Sequence, residues 1–242
     1  MHRRNMLLAT AVGAMAIGAL AASCSRGKLP LAPAPEAAPT ASSPALAIRR
    51  FEWAVNHRDI DAFDDLFSDD FEFISAGTDS TGPARTTWGG RDTVLAALRG
   101  LLIGSPGRPP AESITLFFDQ NLIAFPDTRP GKVSRWHKQI RTSVDLKVRI
   151  DPGNLVEVTG NALFFLTRGD SAEIPRDLRD RGFKPDSLRW WIDRWEDETL
   201  GGGIPALGSA LARGPRAAKA PPASTNPARK ITFAAILRFY LP

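Results

Sequence analysis

The chain of 242 residues has one cysteine, Cys24, so no disulfide can join two parts of it and no four-cysteine zinc site can form. Its one tyrosine, Tyr240, lies two residues from the end. Its three histidines are His2, His57 and His137, which leaves few of the groups that commonly run acid–base chemistry near neutral pH. The apolar run from Met6 to Leu20 has 15 residues and falls short of the roughly 20 that cross a bilayer as a helix. Acidic residues are missing after Thr199, where Arg213, Arg216, Lys219, Arg229, Lys230 and Arg238 lie. In front, only Glu36 offsets Arg3, Arg4, Arg26 and Lys28. From Pro44 to Thr199 there are 21 Lys and Arg against 25 Asp and Glu. The net charge of +5 therefore belongs to the ends. A mildly acidic body is not a phosphate-tracking surface, and no nucleic-acid partner is expected.

What is present is enough apolar material for a core: 43% hydrophobic and 24% charged residues describe a globular chain. The length suits one domain plus ends. Arg3 and Arg4, the apolar run, and then Ala21, Ala22 and Ser23 follow the charged, apolar, small-residue order of a secretory signal peptide. The stretch LAASC resembles the lipobox of bacterial lipoproteins, with Ala21 where leucine is usual. That resemblance implies cleavage before Cys24 and acylation of it, hence a membrane partner through the N-terminal lipid. With Ser25 next, it also implies retention at the outer membrane, facing the periplasm. RRNMLL loosely resembles a twin-arginine export signal as well. The expected organisation is a signal over 1–23, a Pro/Ala-rich tether over 24–43, a domain over 44–199, a Gly/Ala/Pro-rich linker over 200–230 and an amphipathic helix over 231–242.

Within the domain, Ser43 and Pro44 read as the cap and first residue of a helix whose apolar stripe is Ala47, Ile48, Phe51, Ala54 and Val55. Asp59 caps a short second helix with Ile60, Phe63, Leu66 and Phe67 inward. Phe71 to Ala76 alternates as a strand, and a turn-rich stretch to Gly90 follows. A third helix runs from Arg91 to about Ile103, with Leu95, Leu98, Leu101 and Leu102 inward and Gly104 ending it. The period then changes to two. Ile114, Leu116 and Phe118 share one face, as do Ile140, Thr142, Val144, Leu146, Val148 and Ile150. After the turn at Asp151, a partner strand presents Val156, Val158, Gly160, Ala162, Phe164 and Leu166. A charged excursion, Gly169 to Ser187, precedes a last strand, Leu188 to Glu198.

Three helices followed by long strands make an α+β layer arrangement. ALAIRRFEWAVNHRDIDAFDDLFSDDFEF, WGGRDTVLAALRGLL and RWWIDRWED resemble the nuclear transport factor 2-like superfamily in its SnoaL-like branch. The resemblance covers Pro44 to Thr199. It implies a cone, with three N-terminal helices packed on a strongly curved antiparallel sheet and a pocket at the wide end. That fold hosts isomerases, dehydratases, hydrolases and binding modules without chemistry, so it does not choose among them.

On the last strand, Leu188, Trp190, Ile192, Arg194 and Glu196 alternate with Arg189, Trp191, Asp193, Trp195 and Asp197. With the first set inward, Trp53, Trp88 and Trp190 are candidate linings of a pocket for a small apolar ligand, and Arg194 is the polar group orienting it. Trp191 and Trp195, with Leu163 and Phe165, then face outward as a candidate interface. A second copy, an envelope protein or the chain's own C-terminus would cover it. Thr232 can cap a final helix with Phe233, Ile236, Leu237 and Tyr240 on one face, expected to dock back on the domain. The favoured reading is a lipid-anchored, non-catalytic binding or interaction module. The alternative is an isomerase, dehydratase or hydrolase using a pocket carboxylate of raised pKa, Glu196 or Asp193. The carboxylates Asp59, Asp61, Asp64, Asp65, Asp69 and Asp70 suit a helix start and its solvent face, so no metal and no cofactor is expected.

Overall fold

The computed structural model describes residues 36–79, 82–199 and 229–242. The signal peptide, Cys24 and most of the tether and linker lie outside them. Helix α1, Pro44–His57, starts where Ser43 Oγ accepts a hydrogen bond from the Leu46 N–H at 3.2 Å, and it buries Ala47, Ile48, Phe51, Ala54 and Val55. Asp59 caps α2, Ile60–Asp64, by accepting from the Ala62 N–H at 2.9 Å. Helix α3, Arg91–Ile103, ends at Gly104, whose φ of 91° is open to glycine at little cost.

The strands are β1 (Phe67–Asp79), β2 (Gly82–Gly90), β3 (Ser113–Phe118), β4 (Phe125–Pro126), β5 (His137–Asp151), β6 (Asn154–Arg168), β7 (Trp190–Thr199) and β8 (Arg229–Lys230). A fourth helix, α4 (Arg176–Asp180), lies between β6 and β7, and α5 (Phe233–Tyr240) follows β8. The sheet order is β2-β1-β7-β6-β5-β3, with β4 beside β5 and β8 beside β6. All main pairs are antiparallel except β1 with β7, which run parallel. The chain reaches β7 only after the β5–β6 hairpin, so it enters β7 in the direction of β1. The fold is the expected α+β cone, with one sheet face turned to the helices.

The long hairpin sets that inner face. Ile140, Val144, Leu146 and Val148 of β5 are buried together with Val156, Val158, Ala162, Phe164 and Leu166 of β6. Phe51 of α1 sits over their centre, with ring centroids 5.0 Å from Phe63, 5.8 Å from Phe118, 5.6 Å from Phe164 and 5.2 Å from Trp195. Such rings meet edge-on or offset, as their quadrupoles favour.

Two expectations need correction. The stretch before Gly90 is strand β2, paired with β1 from Glu72 opposite Gly90 to Asp79 opposite Gly82. Its glycines and proline read as turn material, whereas Arg85, Thr86, Thr87 and Trp88 are ordinary strand residues. The second correction concerns β7. Phe165 pairs with Arg194 and Leu166 with Ile192, which leaves Asp193 as an extra residue, a β-bulge. The bulge reverses the alternation. Trp190 and Ile192 face the core before it, and Trp195 and Asp197 face inward after it.

Candidate functional site

The inner face of β7 is the place to look for a pocket, and it is occupied. Helix α5 lies between α3 and this face. Phe233, Ile236, Leu237 and Tyr240 are all buried in the main core. The Phe233 ring stands 4.6 Å from that of Trp195. At its other end α5 meets α3 so closely that a Cβ on Gly100 would collide with the Tyr240 carbonyl oxygen. Arg108 Nη1 donates to the Leu241 carbonyl at 3.3 Å.

The start of α5 is held by polar groups of β7. Asp197 Oδ2 accepts from the Ala234 N–H at 2.8 Å, and Thr199 Oγ1 accepts from the Phe233 N–H at 3.0 Å. The Thr199 hydroxyl in turn donates to Asp197 Oδ1 at 2.5 Å. Thr232 Oγ1 takes the Ala235 N–H at 3.1 Å. Orphan N–H groups at a helix start need such acceptors, and an anionic one also suits the helix dipole. Burial pushes the Asp197 carboxyl above its ordinary value, and these hydrogen bonds offset only part of that rise. Asp197 is thus an inward carboxylate, and its oxygens are engaged by Thr199 and α5.

The residues singled out from sequence are distributed otherwise than expected. Trp190 is in the core, Trp88 packs edge-on against Phe73 at 5.5 Å, and Trp53 stacks on His57 at 4.2 Å. No contact joins these three tryptophans around a common cavity among the described residues. Arg194 and Glu196 lie on the outer side of β7. There Arg194 pairs with Glu72 at 3.3 Å, and Arg85 reaches Glu196 at 2.7 Å. Neither Glu196 nor Asp193 points into the cone: Asp193 follows the inward Ile192 and faces out, and the bulge carries Glu196 to the same outer side.

The interface expected from Leu163, Phe165, Trp191 and Trp195 is likewise corrected. Trp195 is inward. Trp191 is buried under the Gly169–Ser187 excursion by Ile174, Leu178 and Phe183. Phe165 is covered by the Arg129 guanidinium, 4.0 Å above its ring, and Leu163 is half-buried beside it on β6.

That outer covering holds a charged cluster which no motif in the sequence announced. Arg129 Nη2 donates to Asp127 Oδ2 at 2.7 Å and to Asp193 Oδ2 at 2.8 Å, and Lys132 Nζ meets Asp193 Oδ2 at 3.1 Å. Burial raises the Asp127 carboxyl, but hydrogen bonds and charge from Arg129 outweigh it and hold the group below the usual carboxylate range. Glu173, nearby, is pushed up to about 7, by burial first and then by Asp70, Asp193 and Asp170, against Lys132.

A carboxyl whose folded pKa exceeds its unfolded value of about 4.3 loses folding stability as pH rises through the interval between the two. Glu173→Gln is therefore expected to raise the Tm by a few degrees at pH 8 and to leave it unchanged at pH 4. Thermal unfolding followed by circular dichroism reads this, and an equal shift at both pH values would contradict it.

An open groove of about 870 Å³ lies beside the start of α3. It is lined by Arg91, Arg99 and Arg176 and by Asp64, Asp69, Asp92, Asp177 and Asp180. Arg91 gathers three of the groove's carboxylates: Nη1 meets Asp177 at 3.1 Å and Asp92 at 3.5 Å, and Nη2 meets Asp64 at 3.3 Å. They tie the excursion to α3 more than they form a vacant site.

No protein-family model and no curated protein matches the sequence. Among solved structures it is similar to a conserved protein from Planctomyces limnophilus, at 18% identity over 64% of this chain and 95% of that one, with TM-score 0.41. It is also similar to a nuclear transport factor 2-like superfamily protein from Salmonella enterica serovar Typhimurium, at 16% identity, 67% and 90% coverage and TM-score 0.40. A third is a nuclear transport factor 2-like protein with a cystatin-like fold from Novosphingobium aromaticivorans, at 15% identity, 69% and 85% coverage and TM-score 0.39. At such identities and TM-scores these likenesses carry no statement about activity. The fold class rests on the strand order and on the helices over the inner face.

Proposed function

We infer that the protein is a lipid-anchored, non-catalytic interaction module of the bacterial cell envelope, held to the membrane through Cys24. The observation that carries the non-catalytic part is α5. Where the cone would admit a substrate, Phe233, Ile236, Leu237 and Tyr240 are packed against Trp195 and α3, and the inward carboxylate, Asp197, caps the helix. A proton-transferring carboxyl needs a reacting atom within about 2.6–3.2 Å, and the atoms at that distance from Asp197 are the chain's own N–H and O–H groups. The anchor is supported by the signal-like N-terminus and its following cysteine. Among the described residues no helix is long and apolar enough to cross a membrane.

The test is made on the whole chain purified from membranes in mild detergent. Native mass spectrometry is expected to find an acylated protein with no retained small molecule, and Cys24→Ala is expected to lose the acyl mass and leave the washed membrane fraction. A stoichiometric small ligand retained with α5 in place would sink the filled-cone reading. A Cys24→Ala chain that stays in washed membranes would sink the anchor.

A further inference from the structure

Four of the eight large apolar side chains that stand exposed among the described residues lie between Asn121 and Val144. Ile123, Phe125 and Val133 are 61%, 54% and 55% exposed, and Trp136 is exposed as well. Large apolar side chains so far out of a fold ordinarily meet something. From Thr128 to Val144 the chain carries five Lys and Arg and no acidic residue; Arg129, Lys132 and Arg141 are paired with Asp127, Asp193 and Glu198, and Arg135 and Lys138 are left beside the apolar side chains.

These residues converge in space. Phe125 pairs with Gln139 and Pro126 with Lys138, the Asp127 N–H donates to the His137 carbonyl at 3.3 Å, and the Trp136 N–H donates to the Val133 carbonyl at 2.9 Å. The strip therefore folds against the start of β5, at one end of the sheet. The N-terminal chain enters at that same end. The Ala41 carbonyl accepts from the Trp190 N–H at 2.8 Å, Trp190 pairs with Arg168, and the Arg168 N–H donates to the Trp136 carbonyl at 2.8 Å. Ala41 stands 17 positions after Cys24, a length that reaches about 60 Å when fully extended.

We propose that this end of the sheet, with Ile123, Phe125, Val133 and Trp136 flanked by Arg135 and Lys138, docks on an anionic bilayer surface. The proposal rests on the anchored reading of Cys24. Apolar and aromatic side chains enter the headgroup region, and cations beside them meet lipid phosphates. A tether of this length holds the domain at high local concentration over the membrane, so a weak contact suffices. Each cation near an anionic surface contributes about 1 kcal/mol, or about fivefold in binding. Docking fixes which way the cone faces, with the β5–β6 turn at Asp151–Asn154 directed away from the lipid.

With Cys24 acylated, an introduced cysteine is the one free thiol of the mature chain. Ala124→Cys and Gly153→Cys, at opposite ends of the hairpin, are each labelled with a polarity-sensitive fluorophore. The full chain is then reconstituted in vesicles of phosphatidylethanolamine and phosphatidylglycerol. At 124 a blue shift and quenching by brominated acyl chains are expected, and at 153 neither. Phe125→Ser combined with Arg135→Glu is expected to return position 124 to an aqueous signal while the chain still floats with the vesicles.

Equal, aqueous signals at 124 and 153 on a chain that floats with vesicles overturn the docking and leave the anchor standing. A chain that does not float overturns both. Shielding at 124 that needs no vesicles and grows with protein concentration overturns the docking in favour of a contact between copies.

Discussion

A chain ending at Thr199 is expected to be less stable than the full chain by at least about 3 kcal/mol, the cost of losing one buried aromatic side chain. That is about 6–12 °C in Tm at 2–4 °C per kcal/mol for a chain of this size. The truncation removes Phe233, Ile236, Leu237 and Tyr240 together and uncovers Trp195 and the α3 face around Gly100. It also takes from Asp197 the helical N–H that its carboxylate caps. The opened interior should bind the dye 8-anilinonaphthalene-1-sulfonate, which the full chain should not. Gly100→Val supplies a second route that keeps every residue of α5, since its Cβ would collide with the Tyr240 carbonyl oxygen. Both variants should lose stability and gain dye binding. Calorimetry showing the truncated domain as stable as the full chain, without dye binding, would mean that α5 decorates a core complete without it.

Much of the architecture was legible because four of the five described helices carry their own punctuation, α4 in the charged excursion being the exception. Ser43-Pro44 starts α1, Asp59 starts α2, Gly104 ends α3 and Thr232 starts α5, and in each the apolar spacing names the buried face. The β5–β6 hairpin was legible for a similar reason. Alternation over fifteen residues on each side of a Pro-Gly turn admits one register with an apolar face.

Unbroken alternation from Leu188 to Glu198 misreads the last strand, which runs from Trp190 to Thr199. The sequence does carry a sign against it. The set containing Trp190 and Ile192 turns charged at Arg194 and Glu196, while the other set gains Trp195. No straight strand puts Trp190, Ile192 and Trp195 on one side, and a single extra residue does, with Trp191 left for the excursion to cover. With the bulge at Asp193, the core takes Trp190, Ile192 and Trp195, and Arg194 and Glu196 go outside to Arg85 and Glu72. The same slip hid Asp197, which reaches the interior only once Trp195 does. The Asp127–Arg129–Asp193 cluster was illegible for another reason: Asp193 stands 64 residues from Arg129, and only the folded sheet brings β7 to the Asp127–Arg129 segment.

That cluster bears the second large expected effect. Arg129→Leu removes the guanidinium that forks onto Asp127 and reaches Asp193, leaving buried Asp127 with the residue 129 N–H and the more distant charge of Lys132, and Asp193 with Lys132 alone. Breaking a buried pair from one side costs about 3–5 kcal/mol, because the remaining charge stays desolvated. The loss depends on pH in a definite sense. In the native protein the Asp127 carboxyl lies below its unfolded value of about 3.9. Its contribution is fully present above that value and disappears as pH falls through the folded one. Without Arg129 the carboxyl loses its side-chain hydrogen bonds and the nearest positive charge, keeps the residue 129 N–H and the charge of Lys132, and moves up toward its unfolded value. The stability that the lowered carboxyl contributes above the unfolded value is then reduced. Chemical denaturation at pH 7 should therefore show the full deficit, and at pH 3, below the unfolded value, a smaller one. Arg129→Lys restores a charge but not the planar fork and should recover part of the loss. A deficit for Arg129→Leu that is the same at both pH values would mean that what Arg129 contributes is packing over Phe165 rather than charge on the two aspartates.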